Sequence, residues 1–321
     1  MTLDQTGGNA RIIIKGLPGI GKTTLATIVI TDRRVKTVFG ASRIFIRCGD
    51  LKGADCCVHG LLCYFALKLG LTDEGDVYHK VVSLLMSFKR FMIVLDGLEL
   101  IWNSDDSKEV IELERLLDLL SDIEQVVLIA TVRGRAIPQN VRWKNRLDDP
   151  LNPLSSADAC STFLEQAELK KATEIDEILH LEKLVEQIDG HPQAVMLLAR
   201  LRDLPSRLLR EWTEYDQWRT DIIEADQHDG TAPELSMSVS IMLSIKRLPK
   251  NDWRPLELLR RCQESSDGLT EIQQEELRAS IPRFDRQRRL LGRGGLVQQG
   301  DAGELTLLSP IRHFKLPDRS T

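Results

Sequence analysis

The run Gly16-Leu17-Pro18-Gly19-Ile20-Gly21-Lys22-Thr23-Thr24 constrains the fold of this 321-residue chain more than any other segment. It fits G-x-x-x-x-G-K-[ST] in full, and its flanks suit it. Ile12-Ile13-Ile14 before it reads as a buried strand, and Leu25–Ile30 after it continues as a helix. A strand, a glycine-rich turn and a helix N-terminus aim backbone N–H groups and a helix dipole at a polyphosphate. Gly16, Gly19 and Gly21 permit close backbone approach. Lys22 would set its ammonium on the β and γ phosphates, and Thr23 would offer a hydroxyl to Mg²⁺. Gly16, Pro18, Gly19, Ile20, Gly21, Lys22, Thr23 and Thr24 are thus the candidate nucleotide contacts in this segment. A chance match in an ordinary loop is the competing reading, and the strand and helix flanks argue against it.

Four apolar runs, Ile12–Lys15, Ile44–Arg47, Phe91–Leu95 and Val126–Thr131, alternate with helical patterns. Val58–Leu69 and Val77–Phe88 carry helix-like apolar spacing, and Val110, Leu113, Leu116, Leu117 and Leu120 form a stripe at helical period. Such alternation predicts a parallel sheet covered by helices on both faces. The third run ends Leu95-Asp96-Gly97-Leu98-Glu99, the Walker B pattern. Asp96 would stand at the carboxyl end of its strand, where ligands bind in such sheets, and hold Mg²⁺. Glu99 either polarises a water, as the one candidate catalytic residue, or is a solvated loop acid. The fourth run ends at Arg133, whose guanidinium either reaches a γ-phosphate or is an ordinary surface arginine; nearby Arg135 is an alternative contact.

The composition, 42% hydrophobic and 28% charged, is that of an ordinary soluble globular protein. A net charge of −5 argues against a protein that coats nucleic acid. No apolar run reaches the ~20 residues of a membrane span. Residues Met1 to Ala10 lack the basic and apolar regions of a signal peptide. Cys48, Cys56, Cys57, Cys63, Cys160 and Cys262 form neither a zinc frame nor a disulfide ladder, so they read as reduced thiols of a cytosolic protein. The six histidines show no metal-ligand spacing.

Past residue 150 the pattern turns helical. Asn152-Pro153-Leu154-Ser155 reads as a helix start with Ser155 or Ser156 as N-cap. A helix over Leu181–Ile188 is broken by Gly190, and Pro192 opens the next, with apolar Val195–Leu201. Ser236–Leu248, Leu256–Cys262, Ile272–Ile281 and Phe284–Leu291 read as further helices. Leu296–Gln299 and Leu305–Leu308 then flank Gly300–Gly303 as a hairpin. Helices followed by a terminal hairpin are a winged-helix pattern. Arg286, Arg288, Arg289 and Arg293 form a basic cluster, taken as a solvated face or a phosphate contact in preference to a DNA-binding surface.

The order of phosphate loop, Asp96, Arg133, Pro153-Leu154-Ser155 and Gly190-His191-Pro192-Gln193-Ala194 resembles the NB-ARC module of the STAND class of signal-transducing P-loop NTPases. The Gly190–Ala194 segment is similar to that family's Gly-Leu-Pro-Leu motif, and Phe45-Ile46-Arg47-Cys48 to its second strand. Leu95–Glu99 and Leu308-Ser309-Pro310-Ile311-Arg312 look most like fungal members. The resemblance covers roughly residues 11–315 and implies three parts. These would be an α/β P-loop domain over 1–151, a small helical domain over 152–228 and a winged-helix domain over 229–321.

The resemblance further implies an ADP- and ATP-binding switch, the core of an NLR-like protein of innate immunity, acting in the cytoplasm with Mg²⁺. Arg133 would sense the γ-phosphate and Pro192 would pack on the adenine. Exchange of ADP for ATP would drive assembly into a homo-oligomer, and protein partners would act through effector or repeat domains beyond this chain. Membrane and nucleic acid are not among the expected partners. Three departures bear on this. Gly97 stands where many members have a second acid, so hydrolysis is expected to be slow at most. No histidine stands near Leu308–Ser309, His313 coming too late to contact an ADP β-phosphate. Only about ten residues precede the first strand, so the usual N-terminal part of the adenine pocket is short. A fragment, a truncated product and a stand-alone switch are all compatible with these ends. An ATPase with turnover and a winged-helix transcription regulator are the competing functions.

Overall fold

A computed structural model describes residues 10–316 apart from 52–56, 72–74, 103–106, 134–136, 139–140, 142, 144–149, 169–174, 215–231, 250–251, 266–267, 301–302, 308, 313 and 315. By their contacts these residues form two units. One comprises Met1–Leu17 with Gly21–Asn152, and the other Pro18–Ile20 with Pro153–Thr321.

The first unit is built on four parallel strands: β1 (Arg11–Gly16), β2 (Arg43–Arg47), β3 (Phe91–Asp96) and β4 (Val126–Arg133), in the order β1-β4-β3-β2. Side chains alternate faces along a strand. Ile12 and Ile14 therefore join Met92, Val94 and Ile129 on one face, and Ile13 joins Ile93, Leu95, Leu128 and Ala130 on the other. Both faces are covered. Ala26 and Ile30 of α1 (Lys22–Thr31) and Val35 and Phe39 of α2 (Arg33–Phe39) lie on the first. The second is packed by Leu61 and Phe65 of α3 (Val58–Lys68), Val81 and Leu85 of α4 (Val77–Ser87) and Leu113, Leu117 and Leu120 of α6 (Ser107–Asp122). A short helix, α5 (Glu99–Trp102), follows β3 directly. The expected parallel sheet with helices on both faces is the observed one.

The described residues of the second unit share one core, running from Ala159 of α7 (Ser156–Gln166) to Ile311. Ser155 caps α7, its Oγ accepting from Asp158 N at 3.2 Å. Helix α8 spans Ile175–Gln187, beginning six residues before the expected start, and α9 spans Pro192–Arg200, three residues before its apolar run. The start of α8 was missed because the sequence reading followed apolar residues, whereas Pro192 opens α9 as expected: His191 accepts from Ala194 N and Pro192 takes the first turn, where its missing N–H costs nothing. Helices α10 (205–214) and α11 (Ala232–Lys246) follow. Then come α12 (Arg254–Glu264), a backbone bridge from Leu269 to Leu305, α13 (Glu271–Ser280) and α14 (Phe284–Arg293). A hairpin of β5 (Gln298–Gln299) and β6 (Leu305–Thr306) follows, its strands two residues long where four were expected, and then a short helix α15 (Ser309–Arg312). No described helix is long and apolar enough to cross a membrane.

Candidate nucleotide-binding site

The carboxyl ends of β1, β3 and β4 place the chemistry. Parallel register sets Gly16 beside Arg133 and Arg47 beside Asp96, so the loop after β1 and the ends of its neighbours open on one edge of the sheet. Gly21 stands at the N-cap of helix α1, and its φ of +102° suits glycine. No side chain caps that helix, and its first turn carries no acid. An uncapped helix N-terminus leaves N–H groups for an anion.

Lys22 is buried at the start of α1, its Nζ donating to Gly16 O at 2.9 Å and Leu17 O at 2.8 Å. Burial pulls its pKa down from the ordinary lysine value to about 8. Glu99 and Asp96 work against that shift, and Arg133 works with it. Thr23 Oγ1 meets the Asp96 carboxylate at 2.9 and 3.0 Å. Asp96 is held from behind by Thr131, whose hydroxyl donates to Asp96 Oδ1 at 2.7 Å and accepts from Gly97 N at 2.9 Å. Thr131 is fully buried and was missed in the sequence reading. Its signal was its place two residues before Arg133 on a strand whose end was already suspect.

Glu99 is a correction. It is not a solvated loop acid. It is buried at the head of α5, with Oε1 2.9 Å from Arg133 Nε and Oε2 accepting from Arg133 N at 3.1 Å. Arg133 is correspondingly not an ordinary surface arginine, being two-thirds covered and paired. Arg135, Leu308 and His313 lie outside the described residues.

Pro18, Gly19 and Ile20 group with the second unit, and within it His191 Nε2 lies 3.0 Å from Pro18 O. A carbonyl only accepts, so Nε2 carries the hydrogen and Nδ1 is free to accept from Ala194 N at 3.4 Å, which describes one neutral tautomer. Pro192 is half-buried beside it. Gln193 is buried with its Nε2 lacking a hydrogen-bond partner among the described residues. Thr24 is exposed on α1.

These residues fit a Mg-nucleotide. The uncapped α1, Lys22 and Arg133 are donors for phosphate, and Thr23 with Asp96 makes a hydroxyl–carboxylate pair of the kind Mg²⁺ takes alongside phosphate oxygens. No cluster of three or more His, Cys, Asp or Glu suited to a metal occurs among the described residues.

Residues 10–169 match the family model of the NACHT domain. The match is to NACHT, not to the NB-ARC module that the motifs resemble, nor to fungal proteins in particular. No curated protein matches the chain. Among solved structures the chain is similar to a Walker-type ATPase of Pyrococcus abyssi, with 13% identity, 95% of this chain and 90% of that one covered and a TM-score of 0.42. It is similar to the Aeropyrum pernix Orc1 protein in complex with DNA, with 16% identity, 94% and 83% covered and a TM-score of 0.45. A mutant RuvB of Thermotoga maritima gives 16% identity, 96% and 88% covered and a TM-score of 0.38. Residues 10–169 thus combine the parallel sheet and phosphate loop of a P-loop NTPase fold with similarity to the NACHT domain, and that likeness implies nucleotide binding.

Proposed function

We propose that this chain is the nucleotide-binding core of an NLR-like switch, holding ADP or ATP with Mg²⁺ and changing conformation on exchange. The observation that carries the reading is the pairing of Thr23 Oγ1 with Asp96 at the foot of an uncapped α1, beside the buried ammonium of Lys22. Lys22 binds the β and γ phosphates, Thr23 and Asp96 hold the metal, and Arg133 reads the γ-phosphate. When bound, Mg²⁺ neutralises phosphate charge; the protein's own groups orient the chain of phosphates and shield it from water.

Three parts serve the switch: residues 1–151, a helical segment over 152–228 and a winged helix over 229–321. The succession of α12, the Leu269 bridge, α13, α14 and the β5–β6 hairpin supports the last of these. Pro192 meets the adenine, and the ADP form is the compact one. A nucleotide shifts such a balance only through its differential affinity for the two forms. Exchange for ATP leads to homo-oligomers, with protein partners engaged through further domains. The setting is cytoplasmic and of the innate-immune type.

Hydrolysis is slow at most, because Gly97 stands where many relatives have a second acid and both oxygens of Glu99 are engaged by Arg133. The reading of the chain as an efficient ATPase is weaker for that reason. A DNA-binding winged helix is weaker too, since the chain as a whole is acidic.

The test is Lys22→Ala. Mg-ADP at one hundred times its dissociation constant raises stability by about 2.7 kcal/mol. The wild type is therefore expected to melt higher with Mg-ADP or Mg-ATP, and the variant to show no shift. Equal shifts in both would remove the loop from the site. Small-angle scattering with ADP, with a non-hydrolysable ATP analogue and with neither tests the switch; identical radii in all three would refute it.

A further inference from the structure

We infer that Glu99 is the positioning residue for Arg133 and thereby sets the preference of this site between nucleoside triphosphate and diphosphate, instead of activating water. The inference rests on the reading that the phosphate loop binds nucleotide.

A general base needs a lone pair directed at the proton it takes. Both oxygens of Glu99 are instead directed at Arg133, Oε1 lying 2.9 Å from Arg133 Nε and Oε2 accepting from Arg133 N at 3.1 Å. Both bonds go to the same residue, one to its backbone and one to its side chain. Glu99 thus grips the end of β4 and the near edge of the guanidinium together. The acid is buried while the arginine keeps about a third of its side-chain surface open, so Glu99 is the fixed member and Arg133 the one that faces outward.

The grip has a direction. Glu99 engages Nε, which leaves the two terminal nitrogens of the guanidinium on the other side, the pair that forms a fork with two phosphate oxygens. Register places Arg133 beside Gly16, where β1 gives way to the phosphate loop. An arginine held at Nε and presenting its fork is preorganised. A free one would lose side-chain entropy on meeting the γ-phosphate. Only a triphosphate carries the group that gains from this arrangement, so the benefit appears as selectivity.

Glu99 also lies close enough to Lys22 to favour its charged form, and Arg133 close enough to oppose it. Changes at either residue therefore alter binding of every phosphate ligand. The ratio of affinities for a non-hydrolysable ATP analogue and ADP cancels that shared effect, and it does not depend on turnover.

The experiment measures both affinities with Mg²⁺, by calorimetry, for wild type, Glu99→Ala, Glu99→Gln, Arg133→Ala and the Glu99→Gln, Arg133→Ala double variant. Preference for the analogue is expected to fall about tenfold in Arg133→Ala, the size of one lost charge-assisted hydrogen bond. Glu99→Ala should fall by a similar factor. Glu99→Gln, which keeps one acceptor for Nε, should fall less, and the double variant no further than Arg133→Ala alone. An unchanged ratio in Glu99→Ala, or losses that add in the double variant, overturns the positioning role. Slowed single-turnover hydrolysis in Glu99→Gln with an unchanged ratio restores Glu99 as the base. Should Glu99→Ala fail to fold, the isosteric Glu99→Gln carries the comparison. If the wild type binds neither nucleotide, the phosphate-loop reading fails, an outcome distinct from all of these.

Discussion

Lys22 shows how a single buried charge links this site to pH. Its pKa stands at about 8 in the folded chain, against 10.5 when exposed, chiefly because burial penalises the ammonium. Between those two values the unfolded chain binds the extra proton, so the cost of burying the charge is relieved as pH rises and stability increases through that window. Phosphates reverse the preference, since they bind the ammonium. Affinity for Mg-ADP is expected to hold steady below pH 8 and to fall as pH rises above it, toward a tenfold loss per unit, with proton uptake on binding. Calorimetry in buffers of different ionisation enthalpy reads that uptake directly. A second prediction concerns Thr131. Thr131→Val removes both the donor to Asp96 and the acceptor for Gly97 N. Leaving a buried N–H unpaired costs about 1–3 kcal/mol. Thermal unfolding should show that loss, and Mg²⁺ dependence of ADP binding should weaken as Asp96 loses its fixed direction. Val132 and Ala130 in place show that the strand itself tolerates apolar neighbours there.

Elements here end where backbone geometry forces them to. Helix α8 closes with Asp189 and Gly190 both at positive φ, and Gly190 N donates back to Val185 O at 3.0 Å. Leu154 N donates to Gly190 O at 3.0 Å, and a Cβ on Gly190 would collide with Leu154 O. Gly190→Ala is therefore expected to destabilise the second unit by about 1–3 kcal/mol through strain at the left-handed position and displacement of the Leu154 backbone. Urea unfolding followed at Trp212 measures it.

The same elements show what the chain's text conveys. The four strands were legible because each is a short apolar run, and the phosphate loop because its glycines, lysine and threonine are contiguous. Asp96 and Arg133 were legible as strand ends. The order β1-β4-β3-β2 was not, since pairing joins residues more than a hundred positions apart. Nor was the bond between Glu99 and Arg133, which exists only once β3 and β4 lie side by side, nor Thr131, whose apolar neighbours disguise it as filler. The start of α8 escaped because a polar first turn carries no periodic signal.

At the scale of the molecule, the buried apolar residues fall into separate clusters. Two flank the sheet of the first unit and one fills the second, and no residue is common to any two. Units with their own cores open separately. Phe163, fully buried in the second unit, tests this: Phe163→Ala should cost about 3–5 kcal/mol there. Hydrogen exchange read by mass spectrometry should quicken in α7–α9 of that variant while β1–β4 keep their protection. Mg-ADP should slow exchange in β1 and α1 of both proteins alike. Faster exchange across the sheet as well would show that the units share one cooperative transition.

The sheet order carries a consequence for the order of synthesis. Among the described strands β1 hydrogen-bonds with β4 alone, Arg11 opposite Leu128 and Gly16 opposite Arg133. Of the described strands, the one that bears the phosphate loop leaves the ribosome before the other three and has no described partner until β4 emerges. Closing so long a connection carries a loop-entropy cost that earlier strands cannot offset. A nascent chain stalled before β4 would present the complete loop text, Gly16 to Thr24, without the platform that shapes it. Capacity to retain nucleotide should therefore appear abruptly during translation, at the length that frees Arg133, and not gradually from the loop onward.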